Sequence, residues 1–171
     1  MDTFQLDNVL IRKGTAADGE LLCDLISALA DYEKLPRPEP DARTRLVRDA
    51  FGPTPRIETW FGEIGGMAAG YAISFYTYST FLALPTFYLE DLFVLPQYRK
   101  QKVGKALFLN CARVAYEQGC GRMEWQVLHW NKPALDFYHH LGGKHMDNWL
   151  PYRATDKDLK NMVLRYTLSA K

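Results

Sequence analysis

Two apolar periods alternate along this chain, and the switches between them mark its elements. Residues 8-NVLIR-12 read as a short strand. Leu21, Leu22, Leu25, Ile26 and Leu29 then recur at helical spacing, so 15–33 reads as a helix opened by a Thr15/Asp18 capping box. The Pro-rich stretch 35-LPRPEPDA-42 breaks that helix, and a second helix is expected over about 41–50. Two strand-like runs, 57–64 and 68–79, flank Gly65-Gly66, which reads as a hairpin turn. The run 86-TFYLEDLFVL-95 is apolar on both faces, as a central strand would be. A long helix follows over about 103–118, stopped by Gly119. Residues 122-RMEWQVL-128 read as a strand. Asn131 caps a helix over 132–141 that Gly142-Gly143 ends. A strand-like stretch near 144–153 and a helix from about 156 complete the chain. The order is β-α-α-β-β-β-α-β-α-β, a mixed α/β (α+β) domain with a central mixed β-sheet flanked by helices. No repeat, linker or low-complexity stretch divides it, so residues 1–171 are expected to form a single domain.

Composition narrows the class without naming a function. Hydrophobic residues make up 47% and charged residues 24%, and the net charge is +1. A chain so nearly neutral has no overall pull toward nucleic acid or anionic lipid, so neither partner is expected. No apolar run approaches about 18 residues, and the N-terminus has no basic segment followed by an apolar one. Three cysteines without CxxC spacing fit reduced thiols, and a cytoplasmic location is expected.

Charge is concentrated in one place. The stretch 97-QYRKQKVGKAL-107 carries Arg99, Lys100, Lys102 and Lys105 around Gly104, at a strand-to-helix turn. A helix start favours anions and disfavours cations. Either these lysines form a solvated basic face, or they surround a strongly negative ligand. A P-loop needs GxxxxGK[ST], but Ala106 follows Gly104-Lys105 and Arg99 stands where the first glycine belongs. A GxGxxG fingerprint is absent. The remaining pattern is [QR]xxGx[GA], which Arg99-Lys100-Gln101-Lys102-Val103-Gly104 fits except that Lys102 replaces the first glycine.

With this loop go three further segments: 88-YLEDLFVLPQYR-99, 124-EWQVLHWNKPALDFYHHLGG-143 with its WNxPAxxFY pattern, and 28-ALADYEKL-35. Together they resemble the GNAT superfamily of N-acetyltransferases, and within it the diamine (spermidine/spermine) N-acetyltransferases, from about residue 9 to 143. The resemblance implies the GNAT fold, acetyl-CoA as co-substrate without a metal, a small primary amine as acceptor, and a homodimer. It places the coenzyme on the backbone of Leu92, Phe93 and Val94, on the loop Arg99, Lys100, Gln101, Lys102, Val103, Gly104 and Lys105, and on Asn131, Pro133, Ala134 and Tyr138. The basic turn would then hold the pyrophosphate against the unpaired N–H groups of a helix start. Lys102 at the glycine position either adds a phosphate contact or strains the loop.

The chemistry requires a proton for the leaving thiolate and an acceptor for the amine's proton. Tyr138 is the expected acid: a phenol of pKa about 10 is protonated at neutral pH. Asn131 and Tyr138, seven residues apart, share one side of their helix. The plain alternative is a core tyrosine beside Phe137, with Asn131 only a cap. Glu90 is the resemblance's choice to accept the amine proton through water. Asp91 is its neighbour, and adjacent strand residues point to opposite faces unless the strand bulges. Tyr32 and Glu33 match the family's amine-binding position, although Glu33 reads equally as an exposed charge at a helix end. Asp147 and Trp149 follow the last matched segment as further amine contacts, but Arg153 nearby has the wrong sign for a polycation.

Other constellations are weaker. His129, His139, His140 and His145 have no metal-ligand spacing. The aromatic run 75–88 reads as sheet core or as a dimer surface. Spermidine, a shorter diamine and a lysine analogue such as thialysine all remain open as acceptors. So do two other functions: acetylation of a protein or peptide amine, and a non-catalytic coenzyme A-binding dimeric module.

Overall fold

A computed structural model describes residues 3–168. The chain packs as two compact units, one ending at Gln126 and the other beginning at Val127.

The first unit is a six-stranded sheet with strands in chain order: β1 (Thr3–Leu6), β2 (Val9–Lys13), β3 (Glu58–Ile64), β4 (Met67–Ser79), β5 (Leu84–Val94) and β6 (Arg122–Trp125). Every neighbouring pair is antiparallel except β5–β6, which is parallel because a helix intervenes. The sheet is therefore mixed, as expected. β1 was not foreseen. It is four residues long and joins β2 through a tight turn at Asp7-Asn8, where Asp7 takes a left-handed φ of 54°. The expected Gly65-Gly66 turn joins β3 to β4, both glycines at positive φ.

Helices α1 (Gly19–Glu33), α2 (Pro40–Phe51) and α3 (Val103–Glu117) belong to the same unit. Ahead of α1, Ala16–Asp18 forms a 3-10 turn with the expected capping box: the Thr15 N–H and hydroxyl both donate to Asp18, at 2.8 and 2.9 Å. Asp18 also accepts a two-pronged bond from Arg12, whose Nε reaches Glu63 at 2.6 Å. Lys34 ends α1 in a left-handed conformation, ahead of the Pro-rich break.

The pleat sorts the sheet's two faces. On one, Phe61, Tyr71 and Phe93 lie side by side across β3, β4 and β5 and pack with Leu22 and Leu25 of α1 and Ala50 of α2. On the other, Gly62 lies under Val103 and Leu107 of α3, with Ile11 beside it. The absence of a side chain at Gly62 lets α3 sit close to the sheet.

The second unit contains α4 (Lys132–His140) and α5 (Asp156–Leu168). The Asn131 side chain accepts the Ala134 N–H and caps α4. Thr155 and Asp158 cap α5 reciprocally. The strand expected near 144–153 does not form. Asp147-Asn148 makes a turn in which the Trp149 N–H reaches the Met146 carbonyl, and Pro151 removes a ladder donor. β6 likewise stops at Trp125, short of the expected residue 128.

Candidate functional site

The β4–β5 ladder carries the key irregularity. Ile73 pairs with Asp91, but the next residue, Ser74, pairs with Leu89. Glu90 is therefore the extra residue of a β-bulge, the device that breaks strict alternation. Its side chain is exposed and makes no ion pair among the described residues. Asp91 instead turns onto the α1–α2 face beside Phe93, where its carboxylate accepts a hydrogen bond of 3.3 Å from the Tyr71 hydroxyl.

At the same place β5 and β6 part. Their parallel pairing covers Thr86 to Leu89 and stops at Leu89 opposite Trp125. From Glu90 to Val94, β5 keeps its β4 partners, but its β6-side edge has no strand partner among the described residues. Leu92, Phe93 and Val94 lie along this unpaired edge, and an edge of this kind takes an extended ligand by backbone hydrogen bonds.

The basic loop follows directly. Pro96–Tyr98 forms a 3-10 turn, and Arg99 folds back so that its Nε donates to the Val94 carbonyl at 3.2 Å. Lys100 and Lys102 both take left-handed backbone conformations, with φ of 64° and 66°. Glycine would adopt these at no cost, whereas a lysine pays roughly 1 kcal/mol. Lys102 is the N-cap of α3, and its carbonyl accepts the Ala106 N–H at 2.9 Å. Its ammonium lies 2.6 Å from Asp7 in the β1–β2 turn. Gln101 caps a carbonyl of the turn before it, that of Gln97. Val103, the first residue of α3, is buried against Gly62 of the sheet, and Lys105 is exposed. The first N–H groups of a helix lack partners within it, so this turn presents such donors together with Arg99, Lys100 and Lys105. The residues fit a polyphosphate ligand even without the glycine.

Tyr32 and Glu33 reach the same part of the sheet from the end of α1. The rings of Tyr32 and Phe93 lie 6.2 Å apart and those of Tyr71 and Phe93 6.3 Å, while the Arg99 guanidinium stacks 4.6 Å from the Tyr32 ring. Tyr32, Glu33, Asp91, Phe93 and Arg99, all singled out in the sequence, thus converge. Tyr71 joins them and was missed. It reads as one more sheet aromatic, and only its register opposite Phe93 reveals what its hydroxyl faces.

The electrostatics of the cluster follow from its burial. Removal from water pushes the Asp91 carboxyl up to about 6; the charges of Glu90 and Glu33 add to the rise, and the Tyr71 hydrogen bond opposes it. Burial also raises the Glu33 carboxyl. The Tyr71 phenol is driven well above its usual range by burial and by the charge of Asp91. Arg99 stands close by over Tyr32 and Phe93, but among the described residues none of Glu33, Glu90 and Asp91 makes an ion pair, so a cation would be welcome there. The second unit holds the other expected residues. Asn131 caps α4, Pro133 and Ala134 lie in its first turn, and Tyr138 follows two turns on. No helix of the described residues is long and apolar enough to cross a membrane.

Comparison with known proteins places the chain. The Acetyltransferase (GNAT) family profile matches residues 24–142. Thialysine N-epsilon-acetyltransferase of Bos taurus is 32% identical over 166 residues, 91% of this chain and 97% of that protein. L-ornithine N5-acetyltransferase NATA1 of Arabidopsis thaliana is 37% identical over 94 residues, 55% of this chain and 41% of that protein. Among solved structures, AAC(6')-Iy in complex with the bisubstrate analog CoA-S-monomethyl-acetylneamine superposes with a TM-score of 0.70 at 21% identity, covering 86% of this chain and 98% of that one. The chain belongs to the GNAT acetyltransferase family. It is an acyltransferase that moves acetyl groups to amines, and the fold expected from the sequence is the one it has.

Proposed function

We propose that this protein acetylates the primary amine of a small diamine or amino-acid-like amine, with acetyl-CoA as donor. The observation that carries the reading is the convergence of Glu33, Glu90 and Asp91 beside an unpaired strand edge that runs into a basic helix start. An alkylamine has a pKa of about 10 and arrives as a cation, which three carboxylates would attract. The names of the relatives, thialysine and ornithine acetyltransferases, belong to enzymes whose acceptors carry a terminal amine on a short chain, and they support the same class here. We take residues 1–171 to act as one domain, since the family profile runs across the boundary at Val127.

The roles follow from the chain's own groups. Leu92, Phe93 and Val94 would hold the pantetheine arm by backbone hydrogen bonds, and Arg99, Lys100, Gln101, Lys102, Val103, Gly104 and Lys105 the pyrophosphate. Asn131, Pro133 and Ala134 would complete the coenzyme contacts. The bound donor supplies an activated thioester. Backbone N–H groups fixed on a strand are positioned in advance to stabilise charge that develops on an acyl oxygen. Tyr32 and Glu33 would seat the far end of the amine. Glu90, exposed on its bulge, would bind the reacting ammonium and pass its proton to water. Tyr138 would return a proton to the departing thiolate. The family's pairing across the aromatic strands supports a homodimer, and three thiols without a disulfide support a cytoplasmic location.

The test is kcat/KM across thialysine, ornithine, putrescine, spermidine and a peptide with a free N-terminus, each with wild type and Tyr138→Phe. Short-chain amines are expected to exceed the peptide, and Tyr138→Phe to lose kcat by roughly 100-fold with little change in KM. A preference for the peptide would move the function to protein amines.

A further inference from the structure

We infer that Tyr71, a residue outside the machinery described above, positions Asp91 as the direct acceptor of the amine's proton, while the neighbouring Glu90 serves the incoming cation. The inference rests on the small-amine acetyltransferase reading and deepens it.

Geometry separates the two carboxylates. The bulge at Glu90 leaves that side chain exposed, with no fixed partner among the described residues. Asp91 sits one residue further, at the point where β5 loses β6, on the face that also presents Tyr32 and Glu33. Its described hydrogen-bond partner is the Tyr71 hydroxyl at 3.3 Å. Tyr71 is fully buried and packs on Phe93, so the hydroxyl has no freedom to turn to water. A buried phenol aimed at a carboxylate does two things. It fixes which oxygen is engaged, leaving the other lone pairs for a ligand. It also stabilises the ionised form of a group that burial would otherwise keep protonated.

The charged groups around Asp91 are few. Glu33 faces it from α1, Tyr71 from β4 and Glu90 along its own strand, and Arg99 stacks over Tyr32 and Phe93 nearby. Without Tyr71, the two other carboxylates and the apolar wall all favour the neutral acid. With it, Asp91 is an anion for most of the population at neutral pH, since its carboxyl titrates near 6. A carboxylate of that strength is poorly matched to a free alkylammonium of pKa about 10. It is well matched to the same nitrogen once bonded to the acyl carbon, when the proton becomes strongly acidic. The step balances: the ammonium's first proton leaves through Glu90 to water, the nitrogen–carbon bond forms, the carbon–sulfur bond breaks, the nitrogen's second proton goes to Asp91, the thiolate takes a proton from the acid assigned above, Tyr138, and Asp91 and Tyr138 return to their starting states by proton exchange with solvent.

Tyr71→Phe keeps the ring and its packing and removes only the donor. With thialysine as acceptor, the acid limb of the kcat/KM profile is expected near pH 6 in wild type and higher by about half to one pH unit in Tyr71→Phe. Asp91→Asn is expected to lose rate at least 100-fold and to show no such limb. Carbon-13 NMR titration of the Asp91 carboxyl, assigned with Asp91→Asn, reads the same coupling without turnover. Its midpoint is expected to rise in Tyr71→Phe. An unchanged midpoint, or an acid limb that does not move, overturns the role of Tyr71. An Asp91→Asn enzyme with a wild-type profile overturns the role of Asp91. If wild type turns over no small amine, the functional reading fails, and the NMR midpoint alone decides whether Tyr71 tunes Asp91.

Discussion

Gly70→Ala places a single methyl against the candidate coenzyme strand. Gly70 pairs with Val94, and a Cβ built on it would lie 2.4 Å from the Phe93 carbonyl oxygen, 3.1 Å from Val94 Cα and 3.3 Å from the Phe93 carbonyl carbon. Ordinary contact begins near 3.4 Å, so β5 must retreat by about 1 Å. All three neighbours are backbone, and no rotamer change relieves the clash. Overpacking of this kind costs about 1–3 kcal/mol. The alanine recovers about 0.4–1 kcal/mol by restricting the unfolded chain. The clash wins, and a net loss of about 1 kcal/mol is expected, or roughly 2–4 °C in Tm for a chain of this size. Urea unfolding should show a lower midpoint at unchanged slope. Because the displaced backbone is that of Phe93 and Val94, KM for acetyl-CoA should rise together with the loss of stability. A variant as stable as wild type would refute the packing argument. A destabilised variant with unchanged KM would refute the placement of the donor on this strand.

Three other perturbations test other parts of the structure. The Arg12 hydrogen bonds hold the Asp18 carboxyl at about 2, against an ordinary 3.8. A depressed carboxylate stabilises the fold above its unfolded pKa. About 2 kcal/mol should therefore be lost as pH falls from about 4 to 2, and Asp18→Asn should abolish that slope in stepwise-pH unfolding. Asp7→Asn releases Lys102 from its 2.6 Å pair; coenzyme A should bind roughly twofold tighter by calorimetry at low salt, with the gain gone at high salt, whereas weaker binding would mean that the pair itself shapes the loop. Cys23 of α1 and Cys111 of α3 are buried, and burial lifts the Cys111 thiol to about 12; both should resist a thiol reagent in the native protein and react on unfolding, and fast native labelling would contradict the burial of α1 at Cys23 or of α3 at Cys111.

Local signals carried most of the fold. The Thr15–Asp18 box, the Gly65-Gly66 turn, the Gly119 stop and the Asn131 cap each rest on residues within a few positions of one another, and each stands where the pattern puts it. Long-range pairing was not legible. β1 is a four-residue strand whose existence depends on β2, and the stretch 144–153 has strand-like composition but a turn and a proline in place of a partner. The site divides the same way. The family resemblance pointed to Tyr32, Glu33, Glu90 and the basic loop, and Asp91 was named as the neighbour of Glu90. The resemblance did not find the bulge at Glu90, which depends on β4 register, and so left open which carboxylate turns inward. Tyr71 was invisible because its role is a hydrogen bond across strands. Nor does the sequence show that two lysines occupy the left-handed positions glycines would fill, or that Asp7, 95 residues away, holds one of them.

The central claim is that a small amine leaves this protein acetylated. The most direct measurement incubates the purified chain with acetyl-CoA and thialysine and follows free thiol and N-acetyl product together. The account predicts one thiol released per amide formed, with the rate lost in Tyr138→Phe. Tight coenzyme A binding without acetyl product from thialysine, ornithine or a diamine would contradict it.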